Sequence, residues 1–193
     1  MFRASSWPLS CPRLIGGLAL TLTMAMATSA EDNLLISIGP RFGFSGKSPL
    51  LGKEQLYSFN LVDVAAVWRL PWSWPLGSSS WRFETRLITS AGLLEGADEK
   101  GFIGTIVPDL ALSAWNGLIS LDAGGGAGFL SNYQFGKQDM GGPVQIVATA
   151  GIRVNVLSHL YGGFRLQHFS DAGLYGSTTM GVDMYLVEVG YRF

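Results

Sequence analysis

Ile119-Ser120-Leu121-Asp122-Ala123-Gly124-Gly125-Gly126-Ala127-Gly128-Phe129 alternates in character from one residue to the next. Ile119, Leu121, Ala123, Ala127 and Phe129 share one parity, and Ser120, Asp122, Gly124, Gly126 and Gly128 the other. Successive strand side chains point to opposite faces, so this is a strand with one apolar face and one small or polar face. No helix pattern follows its glycines, which excludes a phosphate-binding loop and favours close packing of backbone against backbone. Neighbouring segments repeat the pattern: Trp81, Phe83 and Leu87 oppose Arg82, Glu84 and Arg86, and Val144, Ile146, Ala148, Ala150 and Ile152 oppose Gln145, Thr149 and Arg153.

Eight such segments are long enough to cross a bilayer as tilted strands, which takes roughly 9 to 11 residues each. The predicted spans are 33–44, 55–70, 79–91, 101–114, 117–130, 143–154, 158–170 and 182–193. An even strand number with apolar residues outside and polar ones inside predicts an all-β fold, an eight-stranded antiparallel transmembrane β-barrel. A barrel of this size has a side-chain-filled lumen rather than a pore. Arg41, Arg82, Glu84, Arg86, Asp122, Arg153, Arg165, Glu188 and Arg192 are expected to point inward and neutralise one another. In the second segment Tyr57, Phe59 and Leu61 lie on one parity and Val62, Val64, Ala66 and Trp68 on the other, which predicts a β-bulge between them.

Residues 1–30 read as a cleavable signal peptide, with Arg3 and Arg13 before an apolar run, Leu14 to Met26, and small residues up to Ala30, where cleavage is expected. Residues 31–193 then form the outer-membrane barrel domain. The only cysteine, Cys11, leaves with the signal, which excludes disulfides, thiolate metal sites and a cysteine nucleophile. With 13 basic and 14 acidic residues the chain has no basic excess for nucleic acid, and a mean hydropathy of +0.28 excludes disorder.

Long connections are predicted near 45–54, 92–100, 131–142 and 171–181, and tight ones near Trp115-Asn116-Gly117 and Asn155 to Leu157. Long loops mark the extracellular side of an outer-membrane barrel and short turns the periplasmic side. Lys47, Lys53, Lys100 and Lys137 then fall in extracellular loops, while Trp68, Trp72, Trp74, Trp81 and Trp115 form an interfacial belt at the short-turn end. The chain alternates through Val187, Val189, Tyr191 and Phe193, a terminal strand of the kind read by the barrel-assembly machinery. These features predict a multi-pass protein of a Gram-negative outer membrane, surrounded by outer-membrane lipids. Whether it forms a homodimer is left open.

One group of polar residues breaks the apolar face. In the seventh segment Leu160, Phe164 and Leu166 share their parity with His168 and Ser170, which therefore face lipid. Across the next hairpin, Asp183 begins the lipid-facing parity of the last strand. Polar groups there need a partner or a function, since an unmatched one costs roughly 1–3 kcal/mol. A serine nucleophile, an imidazole that takes its proton and a carboxylate that orients the imidazole are the parts of an acyl-transfer triad. His159, beside a short turn without partners in phase, reads as a solvated turn residue.

The run His168-Phe169-Ser170-Asp171-Ala172-Gly173-Leu174, followed by Gly181-Val182-Asp183 and the aromatic terminus, resembles the C-terminal signature of PagL-type lipid A 3-O-deacylases. The resemblance implies a serine esterase that hydrolyses the 3-position acyl ester of lipid A, with lipopolysaccharide as substrate and no metal or other cofactor. It implies Ser170 as nucleophile, His168 as general base, Asp183 as acid, and an oxyanion hole at Asp171 and Gly173. The family usually carries glutamate at the acid position and asparagine where Asp171 stands. Two other readings stay open: a structural or adhesive barrel without catalysis, and an acyltransferase, which would need an apolar lumen.

Overall fold

The structure, a computed structural model, describes residues 34–47, 55–77, 80–176 and 179–193. The expected signal peptide and its cleavage after Ala30 lie outside the described residues. Ten strands follow in order: β1 Leu35–Phe44, β2 Phe59–Pro75, β3 Arg82–Gly96, β4 Glu99–Ala114, β5 Ile119–Leu130, β6 Gln134–Phe135, β7 Gln138–Asp139, β8 Val144–Asn155, β9 Leu160–Ser170 and β10 Val182–Arg192. Eight close into an antiparallel barrel in the order β1-β10-β9-β8-β5-β4-β3-β2, and β6 and β7 form a separate hairpin. Pairing of β1 with β10, from Ser37 opposite Arg192 to Phe44 opposite Tyr185, removes both sheet edges.

The alternation seen in the sequence sets the two faces. Phe42, Val62, Leu93, Ile106, Leu121, Ile146, Phe164 and Val187 are exposed on the outer wall, while Arg41, Asp63, Asp122, Arg153, Arg165 and Glu188 are buried. The lower lumen, towards the short turns, is an ion-pair network. Arg41 grips Asp63 at 2.8 and 2.5 Å, Arg165 meets Asp122 at 2.6 Å and Glu188 at 3.8 Å, and Arg153 meets Glu188 at 3.5 Å. Buried charges persist only when paired in this way. Arg82 is instead exposed at the short-turn rim and Arg192 is half-buried.

Two further expectations are corrected. β2 alternates without interruption from Phe59 to Val67, with Phe59, Leu61, Asp63, Ala65 and Val67 buried, and its irregularity lies between Arg69 and Ser73. No bulge separates Leu61 from Val62 because the upper lumen is apolar: Phe59, Leu61, Leu94, Ile103, Leu130 and Met184 pack there at 0–1% exposure. The connection expected at 92–100 is a two-residue turn, Ala97-Asp98, with φ of 52° and 61°. Positive φ at both central residues suits the right-handed twist of a hairpin, so β3 and β4 pair as far as Gly96 and Glu99.

The β6–β7 hairpin tops the apolar half of the lumen. Phe135 and Met140 are fully buried, and Phe135 meets Phe59 edge-on at 5.3 Å. At the opposite end Trp68, Trp72, Trp74, Trp81 and Trp115 are all exposed. His159 is also at this end, stacked on Tyr191 at 5.2 Å.

Candidate active site

β9 and β10 bring the polar residues of the outer wall together through their register. Asp183 stands directly opposite His168, and on the other side Ala148 is opposite His168 and Ile146 opposite Ser170. Directly opposed residues in an antiparallel pair hold their Cβ atoms about 4.5–5.5 Å apart, close enough for an imidazole to reach a carboxylate. His168 Nδ1 is hydrogen-bonded to Asp183 Oδ1. Since a carboxylate accepts, this bond places the imidazole proton on Nδ1 and leaves Nε2 with its lone pair. Asp183 is 7% exposed and His168 half-buried, so the pair is largely withdrawn from water.

The ring direction follows from Gly181, which the sequence offers only as part of the C-terminal run and with no role of its own. A Cβ added to Gly181 would come within 2.9 Å of His168 Cε1 and 3.4 Å of Nε2, so that edge of the imidazole rests on Gly181. Gly181 immediately precedes Val182, the partner of Phe169, and so lies at the level of Ser170. The Nε2 edge is therefore on the serine side of the ring. Ser170 is half-buried on the same face, and among the described residues its hydroxyl makes no hydrogen bond. Catalytic contacts are often long without substrate and tighten when it binds.

Beside the pair is a cavity of about 290 Å³ on the outer wall. Ala148 and Ala150 line it between the larger Ile146 and Ile152, and Leu166, His168, Asp183 and Tyr185 are among its other walls. Tyr185 is stacked between Phe44 at 5.8 Å and Phe164 at 6.4 Å. The recess is an apolar surface with one polar end.

Asp171, just past β9, is buried and organises the loop to β10. It accepts hydrogen bonds from the Gly173 N–H at 3.1 Å, the Tyr175 N–H at 3.0 Å and the Thr179 hydroxyl at 2.8 Å. Burial pushes its carboxyl towards the neutral form, but these donors outweigh burial and hold its pKa below the ordinary carboxylate range. The Gly173 N–H, an expected oxyanion donor, is thus donated to the Asp171 carboxylate. Among the described residues no group of three or more His, Cys, Asp and Glu is placed to hold a metal ion.

The family model for lipid A 3-O-deacylase (PagL) matches residues 60–192, more than half of the chain and all of the site. The chain belongs to the PagL family. Its fold is similar to the crystal structure of the outer membrane enzyme PagL, with a TM-score of 0.65 at 18% identity over 81% of this chain and 99% of that one. No curated protein matches in sequence. The family match extends from β2 to the end of β10, so membership rests on seven of the eight barrel strands and not only on the last two that carried the resemblance.

Proposed function

We propose that the protein is a lipid A 3-O-deacylase of a Gram-negative outer membrane, a serine esterase acting in the outer leaflet. The observation that carries this reading is the His168–Asp183 hydrogen bond on the outer wall, with Ser170 on the same face and an apolar cavity alongside. Such a pair has no structural need to sit among exposed Ile146, Phe164 and Val187.

In this mechanism the Ser170 hydroxyl attacks the carbonyl of the 3-position ester while His168 Nε2 takes its proton. Asp183 holds the Nδ1 proton and stabilises the imidazolium. The tetrahedral intermediate collapses as His168 protonates the departing sugar oxygen, leaving an acyl ester on Ser170. Water, deprotonated by the same Nε2, then releases the free fatty acid and restores the serine. Backbone N–H groups at Asp171 and Gly173 stabilise the oxyanion, and the Gly173 N–H turns to it as its bond to the Asp171 carboxylate opens. Charge–charge repulsion from that carboxylate makes the step slower than it would be beside a neutral amide.

The test is mass spectrometry of lipid A from outer membranes expressing the wild type or Ser170→Ala, with folding checked by heat-modifiable gel mobility. Loss of one 3-position acyl mass with wild type alone is expected. No mass change from folded wild type across several lipid A types would overturn the esterase and leave a non-catalytic barrel.

A further inference from the structure

We propose that Gln138 is a positioning residue for the His168–Asp183 pair, an inference that rests on the esterase reading above. Gln138, in β7, is fully buried. Its Oε1 accepts the Leu56 N–H at 3.0 Å, and its Nε2 donates to the Gly181 carbonyl at 3.3 Å. One neighbour can only donate and the other can only accept, so the amide has a single workable orientation. Neither a carboxylate nor a thioether can satisfy both. Through this side chain the connection before β2, the β6–β7 hairpin and the connection before β10 are tied at one point.

The Gly181 end of that tie leads directly to the site. Gly181 is the surface on which the Cε1–Nε2 edge of His168 rests, and two residues later Asp183 supplies the carboxylate that holds Nδ1. The neighbouring Met180 N–H donates to the Asp139 carbonyl at 2.9 Å, a second rung between the same two segments. The hairpin is in turn fixed by Phe135 and Met140 in the apolar upper lumen. A continuous path therefore runs from the packed interior through Gln138 to the imidazole on the outer wall. Gln138 does not line the cavity beside the pair, so losing it should disturb catalytic geometry and leave substrate binding in place.

The test compares full-length wild type, Gln138→Met, Gln138→Glu and Ser170→Ala, refolded in detergent. Gln138→Met keeps shape but removes both bonds; Gln138→Glu keeps the acceptor for Leu56 and turns a carboxylate oxygen towards the Gly181 carbonyl. Three readouts are taken: heat-modifiable mobility, kcat and KM on lipid A, and the downfield proton resonance of the His168 Nδ1–H, assigned by its loss in Asp183→Asn. Both Gln138 variants should fold, with kcat down about 10- to 100-fold, KM within about twofold and the resonance displaced, since misplacement by ~1 Å costs about 10²-fold. Unchanged kcat and resonance in folded variants would overturn the proposal, as would failure of both to fold, which would make Gln138 a folding residue. Activity in Ser170→Ala would instead overturn the esterase reading, and the resonance would still decide whether Gln138 positions the pair.

Discussion

Gly181→Ala tests the seat of the imidazole with a single methyl group. The φ of Gly181 is not in the left-handed region, so alanine is acceptable to the backbone and the constraint is space. The added Cβ would lie 2.6 Å from the Phe169 carbonyl oxygen and 2.9 Å from His168 Cε1, against ordinary contacts that begin at 3.4 Å. The carbonyl belongs to β9 where Phe169 faces Val182, so it cannot retreat without opening the β9–β10 ladder. The residue 181 backbone must therefore draw back from that carbonyl, and the ring, with Nδ1 held by Asp183, gives way by swinging Nε2. A displacement of ~1 Å costs about 10²-fold in kcat, or about 2.7 kcal/mol of barrier at 1.36 kcal/mol per decade. Overpacking costs about 1–3 kcal/mol of stability, which leaves a folded barrel. The assay is release of free fatty acid from lipid A in detergent, with kcat and KM separated and folding read by gel mobility. Gly104→Ala is the control, because its Cβ would meet nothing nearer than 3.5 Å. Folded Gly181→Ala with the turnover of that control would refute the reasoning.

Asp183→Asn should lower kcat by about 10² to 10⁴, because an amide no longer fixes the imidazole proton on Nδ1; unchanged turnover would remove Asp183 from the triad. Arg165→Met leaves Asp122 buried without its cation and Glu188 with Arg153 alone, and should cost roughly 3–5 kcal/mol; an unshifted urea midpoint would show that the network carries no such weight. The Asp171 pKa is depressed below its unfolded value of about 3.9. Its contribution is therefore complete above about pH 4 and lost as pH falls through the lower folded value. Hydrogen exchange should show the Gly173 and Tyr175 amides protected at pH 7 and progressively less so below about pH 4, whereas Asp171→Ala should lose that protection already at pH 7. Equal protection in the variant would refute the anchoring role.

The fold was legible because every barrel strand has two different environments on its two faces, and a period of two records that directly. Each of the eight barrel strands overlaps one of the segments read from alternation, but β2, β3, β4 and β8 run past the predicted bounds, β2 to Pro75 and β3 to Gly96. One error came where both faces are apolar. Phe59 and Leu61 look like wall residues until the upper lumen is known to be an apolar core capped by Phe135 and Met140, and only the assembled barrel contains that fact. Glu95-Gly96-Ala97-Asp98-Glu99-Lys100 looked like a long connection because its residues are polar. Two positive φ values at Ala97 and Asp98 let it close as a turn.

His168 and Ser170 were legible because they break an apolar parity on one strand, and Asp183 because a hairpin places it across from them. Gln138 and Gly181 carry no such mark: their contact joins the β5–β8 connection to the β9–β10 connection, and it has no periodicity to betray it. The division of charge between the faces then constrains how the protein can work. Inside, the carboxylates of Asp63, Asp122 and Glu188 are engaged by arginines and cannot orient a base, and the lumen above them is packed with side chains. Outside, His168 is the imidazole held by a carboxylate, and it opens on an apolar recess of the wall. In the proposed function a substrate for this site therefore arrives along the outer surface, within a layer that dissolves acyl chains. That route excludes delivery through the lumen and makes the exposed Ala148 and Ala150 part of the approach.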